Sequence, residues 1–185
     1  MILEFLAPGF EEIEALAPVD ILRRAGLEIR TVAITEQGTA VCGSHNIPVT
    51  ADLTADEALA LAETESIDMI ILPGGMPGAA NLDVSDTVQF FLDKAVAEGA
   101  YIASICAAPM IPGKRGLLNG RRATCYPGFE QYLDGADYTG GRVEIDGKFV
   151  TACGMGAAVE FGLALTAILK GEQAAETIAS AVFAK

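Results

Sequence analysis

The chain has 185 residues, a length that suits one domain with a substantial hydrophobic core, and we predict a single domain over residues 1–185. Twelve basic residues stand against twenty-five acidic ones, giving a formal net charge of −13. Nucleic acids and anionic membranes require a basic binding surface, so we expect neither as a partner. No apolar run approaches the ~20 residues of a membrane span and no leader is apparent, so we expect a cytoplasmic protein.

The cysteines are too scattered for a metal site or a disulfide scaffold. Cys42, Cys106, Cys125 and Cys153 lack the paired spacing of metal ligands, and a chain of this length does not depend on disulfides. We therefore expect free thiols in a reducing compartment. His45 is the only histidine, which excludes a multi-histidine metal site. We expect neither a metal nor a cofactor.

Predicted strands and helices alternate along the first half of the chain. The pattern predicts strands at 2–7, 27–34 and 67–72, a short hairpin around 43–46, and helices at 11–25, 58–62 and 84–97. Pro18 lies inside the first helix and should kink it. A strand, a helix and a second strand within about thirty residues form a right-handed βαβ unit.

The second half continues the alternation. We predict strands at 101–105, 121–125, 142–145 and 148–152, a helix that starts at 107, and further helices at 157–169 and 172–184. The dipeptide Asp146-Gly147 is a strong hairpin signal between two of these strands. The alternation predicts an α/β fold with a mostly parallel sheet and helices on both faces. Ligands in such folds gather at the carboxyl ends of the strands.

Cys106 lies where a buried strand turns sharply into a helix. Residues 101–105 form the apolar strand, and Ala107 begins the helical stretch. Ser104 and Ala108 supply the small side chains that so tight a turn requires, as in a nucleophile elbow. The partial positive charge of a helix N-terminus would favour the thiolate. The alternative is a buried core cysteine, because free cysteines are among the most buried residues.

Gly74 and Gly75 follow the strand at 67–72 and belong to the same edge of the sheet. Glycines let the backbone approach a ligand closely and present N–H groups to an anion. Together with the N–H groups that follow Cys106, they would form an oxyanion hole. The alternative is a tight turn made of two glycines.

Glu14 is the unusual carboxylate near the start of the first helix. Its neighbours in the sequence are apolar, and the helical phase places it beside the buried stripe, unlike Glu11 and Glu12. Withdrawal from water raises the pKa of a carboxyl group, which can then donate a hydrogen bond to a thiolate or act as a general acid and base. The alternative is an ordinary solvated acid.

Four segments together resemble the ThiJ/PfpI superfamily and, within it, the DJ-one branch. They are Gly-Phe-Glu-Glu-Ile-Glu-Ala-Leu-Ala-Pro-Val-Asp-Ile-Leu-Arg-Arg-Ala-Gly, Leu-Pro-Gly-Gly-Met-Pro-Gly-Ala, Ala-Ser-Ile-Cys-Ala-Ala-Pro and Val-Glu-Phe-Gly-Leu-Ala-Leu. The resemblance covers nearly the whole chain. It implies a flavodoxin-like three-layer sandwich and usually a homodimer with the site near the interface.

The resemblance also implies roles for residues of this chain. Cys106 would be the reactive cysteine and Glu14 its protonated hydrogen-bond partner, while Gly75 and Ala107 would contribute backbone N–H groups. Arg24 and His45 fall where family members place polar residues close to the dimer-related site.

Three departures from the family pattern bear on the chemistry. Ala107 stands where peptidase-like members carry a histidine, so we do not expect peptidase activity. Tyr126 occupies the position of a histidine in several relatives, and at its usual pKa of about 10 it is a poor base at neutral pH. The segment Ala152-Cys153-Gly154-Met155-Gly156 replaces the family's Ser-Arg-Gly-Pro-Gly.

The resemblance implies a glyoxalase or deglycase activity on small dicarbonyls or their adducts, with a role in oxidative or carbonyl stress. Thiolate addition, an oxyanion held by N–H groups and proton transfer by Glu14 would suit that chemistry. The partner would be a small carbonyl substrate or an oxidant. Two alternatives remain: an oxidation sensor in which Glu14 holds the sulfinic form of Cys106, and a redox-linked chaperone.

Overall fold

The structure is a computed structural model that describes residues 1–184. Its strands are β1 (Ile2–Leu6), β2 (Ile29–Ala33), β3 (Ala40–Cys42), β4 (Pro48–Thr50), β5 (Leu53–Thr54), β6 (Met69–Leu72), β7 (Tyr101–Ile105), β8 (Arg122–Ala123), β9 (Asp137–Tyr138), β10 (Val143–Asp146) and β11 (Phe149–Ala152). Its α-helices are α1 (Glu12–Arg24), α2 (Ala55–Ala62), α3 (Gly78–Asp83), α4 (Asp86–Glu98), α5 (Met110–Lys114), α6 (Ala158–Lys170) and α7 (Glu172–Ala181).

Seven strands form one sheet in the order β10-β11-β7-β6-β1-β2-β5. Every neighbouring pair is parallel except β10 and β11, the hairpin that turns at Asp146 and Gly147. Helices cover both faces, which confirms the predicted three-layer α/β sandwich. No helix in the described part of the chain combines the length and the apolar character needed to cross a bilayer.

The central strands are mostly apolar on both faces because helices cover both, with the fully buried Glu4 of β1 and Ser104 of β7 as exceptions. All residues of β1 and β6 are buried, as expected for a sheet enclosed between two helical layers. On one side, Phe91 and Leu92 of α4 pack against the sheet. On the other, Leu22 of α1 and Phe161 of α6 do the same. The sheet therefore holds the carboxyl ends of β1, β6 and β7 in fixed positions along one edge.

Several short elements differ from the sequence predictions. The two-residue strand β5 and the helix α3 were not predicted, because the first is too short to show periodicity and the second lies in a segment rich in glycine and proline. The predicted strand at 121–125 shortens to β8, which pairs with β9 outside the main sheet. The last helix ends at Ala181 rather than at 184.

The start of α1 agrees only in part with the predicted burial pattern. Glu14 is buried, as its place beside the buried stripe predicted, but Glu12 is buried as well. Ile13 and Leu16, apolar residues at helical spacing in this segment, are 50% and 37% exposed. The amino-terminal turn of α1 points at the carboxyl edge of the sheet, so its carboxylates enter the loops there and its apolar side chains face outward.

Candidate active site

Cys106 occupies the apex of a strained turn. It follows β7 directly and has φ of 63°, a left-handed conformation that is uncommon for a residue other than glycine. Its N–H donates to the Ala152 carbonyl at 2.8 Å, and its carbonyl accepts from the Tyr126 N–H at 2.8 Å. Ser104 and Ala108 are fully buried on either side. The predicted elbow is therefore present, and neighbouring segments hold it from both sides.

The helix after the elbow differs from the prediction. A turn spans residues 106–109, and α5 begins only at Met110 and has five residues. The prediction that a helix N-terminus at Ala107 stabilises the thiolate is therefore wrong. The backbone N–H groups of Gly75 and Ala107 lie near the Cys106 sulfur and favour its ionised form.

Glu14 lies against the Cys106 thiol. Its side chain is only 1% exposed, and Glu11 holds its backbone by accepting the Glu14 N–H at 2.7 Å. The carboxyl faces the Cys106 thiol and the N–H groups of Gly74 and Met155. These contacts are loose in the free protein, because the fully buried Oε2 has no well-formed hydrogen bond. An additional acceptor or donor at this point, such as a bound substrate oxygen, would complete them.

Glu14 and Cys106 titrate as a pair. Burial raises the pKa of Glu14 to about 7, despite opposing hydrogen bonds led by that from Cys106. Burial, followed by the charge of Glu14, raises the pKa of Cys106 to about 12, although Gly75 and Ala107 oppose this rise. The expected depression of the thiol pKa is therefore absent. The two groups lose one proton near neutral pH and share the other, because neither buried site tolerates a second negative charge.

The glycines at 74 and 75 are required by close packing. A Cβ at Gly74 would lie 2.5 Å from Glu14 Oε2 and 2.6 Å from Cys106 Cβ. Gly75 has φ of 85°, and the Gly74 carbonyl accepts the Glu11 N–H at 2.9 Å. This loop therefore lies between the acid and the thiol, an arrangement that the sequence did not predict, and it leaves no room for a side chain at residue 74.

Tyr126 borders the site without entering its centre. Its ring is half exposed and lies 3.3 Å from the ideal Cβ position of Gly154, which is itself 3.8 Å from Glu14 Oε1. A groove of about 430 Å³ opens beside it, between Cys125, Tyr138, Cys153 and Met155. Tyr126 thus lies beside Gly154, on the side of the site where this groove opens.

His45 is held by Glu12 at the outer rim of the site. Glu12 accepts from the His45 N–H at 2.7 Å, and its Oε2 lies 2.8 Å from His45 Nδ1. Burial opposes ionisation of Glu12, but the hydrogen bonds from His45 prevail and lower its pKa to about 2. Helical phase placed Glu12 away from the buried stripe, but its side chain is buried by this contact. Its partner was missed because the two residues are 33 positions apart in the chain.

Arg24 does not approach Cys106 within the chain. It is exposed at the end of α1, where its Nε donates to Asp20 Oδ2 at 2.6 Å. It lines a groove of about 510 Å³ between α1, α6 and the carboxyl-terminal residues.

Most of the predicted site residues lie together in the structure, namely Cys106, Glu14, Gly74, Gly75 and Ala107. Tyr126 lies beside them, and His45 is held by Glu12 at the edge of the site. Arg24 lies outside the site.

One trio of potential metal ligands comes together among residues 1–184. Side-chain atoms of Glu11, Glu12 and His45 lie within 4.8 Å of one another. Both carboxylates already have partners, because Glu11 caps α1 at Glu14 and Glu12 binds His45. A helix cap and an ion pair therefore explain why these three side chains lie together.

Comparison with known proteins identifies the family. Residues 1–168 match the DJ-1/PfpI family. Protein DJ-1 homolog B of Arabidopsis thaliana is 39% identical over 173 residues, which cover 92% of this chain and 38% of the relative. Deglycase PH1704 of Pyrococcus horikoshii is 31% identical over 153 residues, which cover 82% of this chain and 88% of the relative.

Solved structures give the same result. The chain matches oxidized Toxoplasma gondii DJ-1 with a TM-score of 0.89 and 36% identity, covering 98% of this chain and 97% of that one. The chain spans less than half of the length of the two Arabidopsis thaliana relatives, but nearly all of the Toxoplasma gondii protein. This agreement in sequence, fold and extent shows that the chain belongs to the DJ-1/PfpI family.

Proposed function

We propose that the protein is a cysteine-dependent enzyme of the glyoxalase or deglycase type, acting on small dicarbonyls or their adducts. The observation that carries the proposal is that the Glu14 carboxyl and Cys106 meet at Gly74, where a single Cβ would lie 2.5 Å from Glu14 Oε2 and 2.6 Å from Cys106 Cβ. The backbone N–H groups of Gly75 and Ala107 lie beside the sulfur. A nucleophile, an adjacent proton carrier and anion-stabilising donors are the groups that carbonyl addition requires. One relative is named a deglycase, which supports the same class of chemistry.

The chemistry begins when the pair has lost one proton and the remaining proton is on Glu14. The Cys106 thiolate adds to the aldehyde carbon, and Glu14 protonates the oxygen that becomes negative. The N–H groups of Gly75 and Ala107, released from the sulfur as its charge moves away, face the same region. The product of this step is a hemithioacetal with Glu14 ionised beside it.

Glu14 then moves a proton from the hemithioacetal carbon to the neighbouring ketone carbon. As a carboxylate it removes the hydrogen from the first carbon and returns it to the second, while the hydroxyl proton passes to the ketone oxygen, leaving an α-hydroxy thioester on Cys106. Water hydrolyses the thioester to a hydroxy acid and restores the thiol. The sum of the steps adds one water to the dicarbonyl without net oxidation, so no external oxidant or cofactor is required.

A turnover assay with methylglyoxal tests the proposal. We expect the wild-type protein to convert methylglyoxal to lactate and Cys106→Ala to have no activity above the uncatalysed rate, because no other group is placed to form the hemithioacetal. Cys42→Ser, which changes an exposed cysteine on the β3–β4 hairpin, is the matched control and should retain turnover. Lactate formation by Cys106→Ala at the wild-type rate would overturn the assignment.

We also propose that the protein is a homodimer whose interface includes α1. Ile13 and Leu16 are exposed on α1, and Val159 is exposed near the start of α6, which packs against it. Apolar side chains grouped on neighbouring helices are typical of a surface that is covered by a partner. A twofold arrangement of α1 would bring Arg24 of each protomer near the interface.

Sedimentation tests the interface. We expect the wild-type protein to sediment as a dimer at micromolar concentration and Ile13→Asp to sediment as a monomer, because a charge would be desolvated between two copies of α1. Val84→Asp is the control, since Val84 is 78% exposed at the end of α3 and lies outside the proposed interface. A monomeric wild-type protein would remove any role for Arg24 or His45 across a dimer.

A further inference from the structure

We propose that Cys153 is a resolving cysteine: after a peroxide oxidises Cys106, Cys153 captures it in an intramolecular disulfide. This is a thiol peroxidase half-reaction that is distinct from carbonyl turnover. It requires a nucleophilic Cys106 but neither a dicarbonyl substrate nor a proton transfer between carbon atoms. Cys153 belongs to the segment that departs from the family pattern, and the proposed carbonyl chemistry makes no use of it.

The strand register places the two cysteines opposite one another. In the parallel pair β7 and β11, Ile102 pairs with Phe149, and its N–H donates to the carbonyl of residue 148, one position earlier. The Cys106 N–H donates in the same way to the Ala152 carbonyl. The paired register ends at Ile105 and Ala152, and continuing it by one residue places Cys153 opposite Cys106. Cα atoms of paired residues on adjacent strands are about 5 Å apart. This separation lies within the range that a disulfide spans.

The two cysteines lie at the same edge of the sheet. The positive φ of Cys106 takes its side chain out of the alternation of β7 and toward the carboxyl edge of the sheet, where β11 also ends. Both cysteines are partly exposed, so an oxidant can reach the site and neither side chain is locked into the core. Gly154 follows directly and gives the chain after β11 the freedom to adjust.

The other two cysteines are poor resolving residues. Cys125 also adjoins the elbow, because the N–H of the next residue donates to the Cys106 carbonyl. However, Cys125 is fully buried, and burial followed by the charge of Glu130 raises its pKa to about 12. A buried neutral thiol attacks slowly, since the thiolate is the nucleophile. Cys42 lies on the separate β3–β4 hairpin, outside the register that joins Cys106 to Cys153.

The reaction balances with a hydroperoxide as the oxidant. The Cys106 thiolate attacks the terminal peroxide oxygen, the O–O bond breaks, and the departing alkoxide or hydroxide takes the proton of Glu14. The Cys153 thiol then loses its proton and attacks the sulfenic sulfur, the S–S bond forms and the S–O bond breaks, and the departing hydroxide takes up that proton and leaves as water. Two thiols lose two electrons in total, and the peroxide is reduced to an alcohol or water.

Disulfide formation competes with further oxidation. A sulfenic acid that meets no thiol proceeds to the sulfinic acid, which is not reduced by thiols. The register partner presents a thiol to Cys106 at an effective concentration that free thiols do not reach. We therefore expect the disulfide to be the main product at low peroxide, and the sulfinate held by Glu14 to form only when Cys153 is absent or peroxide is in large excess.

Peptide mapping tests the proposal directly, because trypsin places each cysteine in a different fragment. Cleavage at the lysines and arginines yields residues 31–94, 95–114, 123–142 and 149–170, each with one cysteine. The full-length protein is treated with equimolar hydrogen peroxide near neutral pH, alkylated and digested without reductant. We expect a linked pair of fragments 95–114 and 149–170, which separates after treatment with dithiothreitol.

Variants distinguish the possible outcomes. We expect Cys153→Ser to lose the linked pair and to gain two oxygen atoms on fragment 95–114, while Cys125→Ser keeps the linked pair. Serine is nearly isosteric with cysteine at a partly exposed position, and circular dichroism verifies folding. Sulfinate on the wild-type fragment 95–114 without the linked pair, or linkage to fragment 123–142, would overturn the proposal. The mapping is independent of methylglyoxal turnover, so failure of one proposal is distinguishable from failure of the other.

Discussion

Replacing Glu14 by glutamine should lower carbonyl turnover by a factor of about 10²–10⁴, the usual contribution of a positioned general acid and base. Glutamine matches the shape of the neutral acid and still donates a hydrogen bond toward Cys106. It cannot accept the proton that must move between the two carbon atoms of the substrate. We therefore expect alkylation of Cys106 by iodoacetamide near pH 7 to change far less than turnover does.

The pH dependence of alkylation gives this variant a distinctive signature. In the wild-type protein the reactive species is the thiolate beside neutral Glu14. Its population rises with pH until the pair has lost one proton, which occurs near the pKa of about 7 of Glu14. Above that pH the singly ionised pair divides in a constant ratio between its two forms, so the alkylation rate should level off.

Glu14→Gln removes the competing carboxylate, so the plateau near pH 7 should disappear. Thiolate then accumulates continuously until the pKa of the thiol itself, which burial still raises although the charge of Glu14 no longer adds to the shift. The rate should therefore keep rising above pH 7 in the variant. Both profiles are recorded by alkylating the protein from pH 5 to pH 10, quenching the reaction at fixed times and measuring the modification of residue 106 by mass spectrometry.

Glu12→Gln is the matched control, because it removes a carboxylate from the same helical turn but one that faces His45 rather than Cys106. Its alkylation profile should keep the plateau near pH 7. If wild type and Glu14→Gln instead gave superimposable profiles, Glu14 would not share a proton with Cys106, and the proposed mechanism would lose its acid.

Local sequence patterns were enough to predict the elements around the site. The apolar run at residues 101–105 predicted β7, and the small residues flanking Cys106 predicted the elbow. The carboxyl ends of parallel strands lie at one edge, so the convergence of Gly74, Cys106 and the start of α1 followed from the topology. The hairpin at Asp146-Gly147 was likewise predicted from two residues.

What the sequence did not predict depends on contacts between distant segments. The burial of Glu12 results from the turn at residues 43–46, which covers its carboxylate with hydrogen bonds from His45. Helical periodicity carries no information about such a partner. The exposure of Ile13 has a related cause, since the helix is oriented by its carboxylates at the site as well as by the apolar stripe of Ala15 and Leu22 against the core.

The pKa of Cys106 was mispredicted for a similar reason. An elbow followed by a helix suggested a dipole that lowers the thiol pKa, but α5 begins too late to act on the sulfur. Burial and the facing carboxyl raise the pKa instead. The reactivity of Cys106 is therefore a property of the pair that it forms with Glu14, and a sequence pattern around one member does not reveal it.

Gly74→Ala should damage both stability and activity, because residue 74 separates the two members of that pair. A Cβ there would lie 2.5 Å from Glu14 Oε2, 2.6 Å from Cys106 Cβ and 2.9 Å from the Ile105 carbonyl oxygen. Because buried atoms surround this position on three sides, the clash of the new methyl group can be relieved only by displacement of the elbow or of α1. We expect the free energy of unfolding to fall by about 1–3 kcal/mol, the usual cost of overpacking a core.

The methyl group added by Gly74→Ala should lower methylglyoxal turnover by more than the loss of folded protein explains. A displacement of about 1 Å between the acid and the nucleophile costs on the order of 10²-fold in rate. Gly156→Ala is the stability control, because a Cβ at Gly156 meets no atom within 4 Å. Urea denaturation and turnover at a temperature where both variants are folded separate the two effects. If Gly74→Ala retained wild-type turnover, the close approach of Glu14 to Cys106 across this glycine would not be required for catalysis.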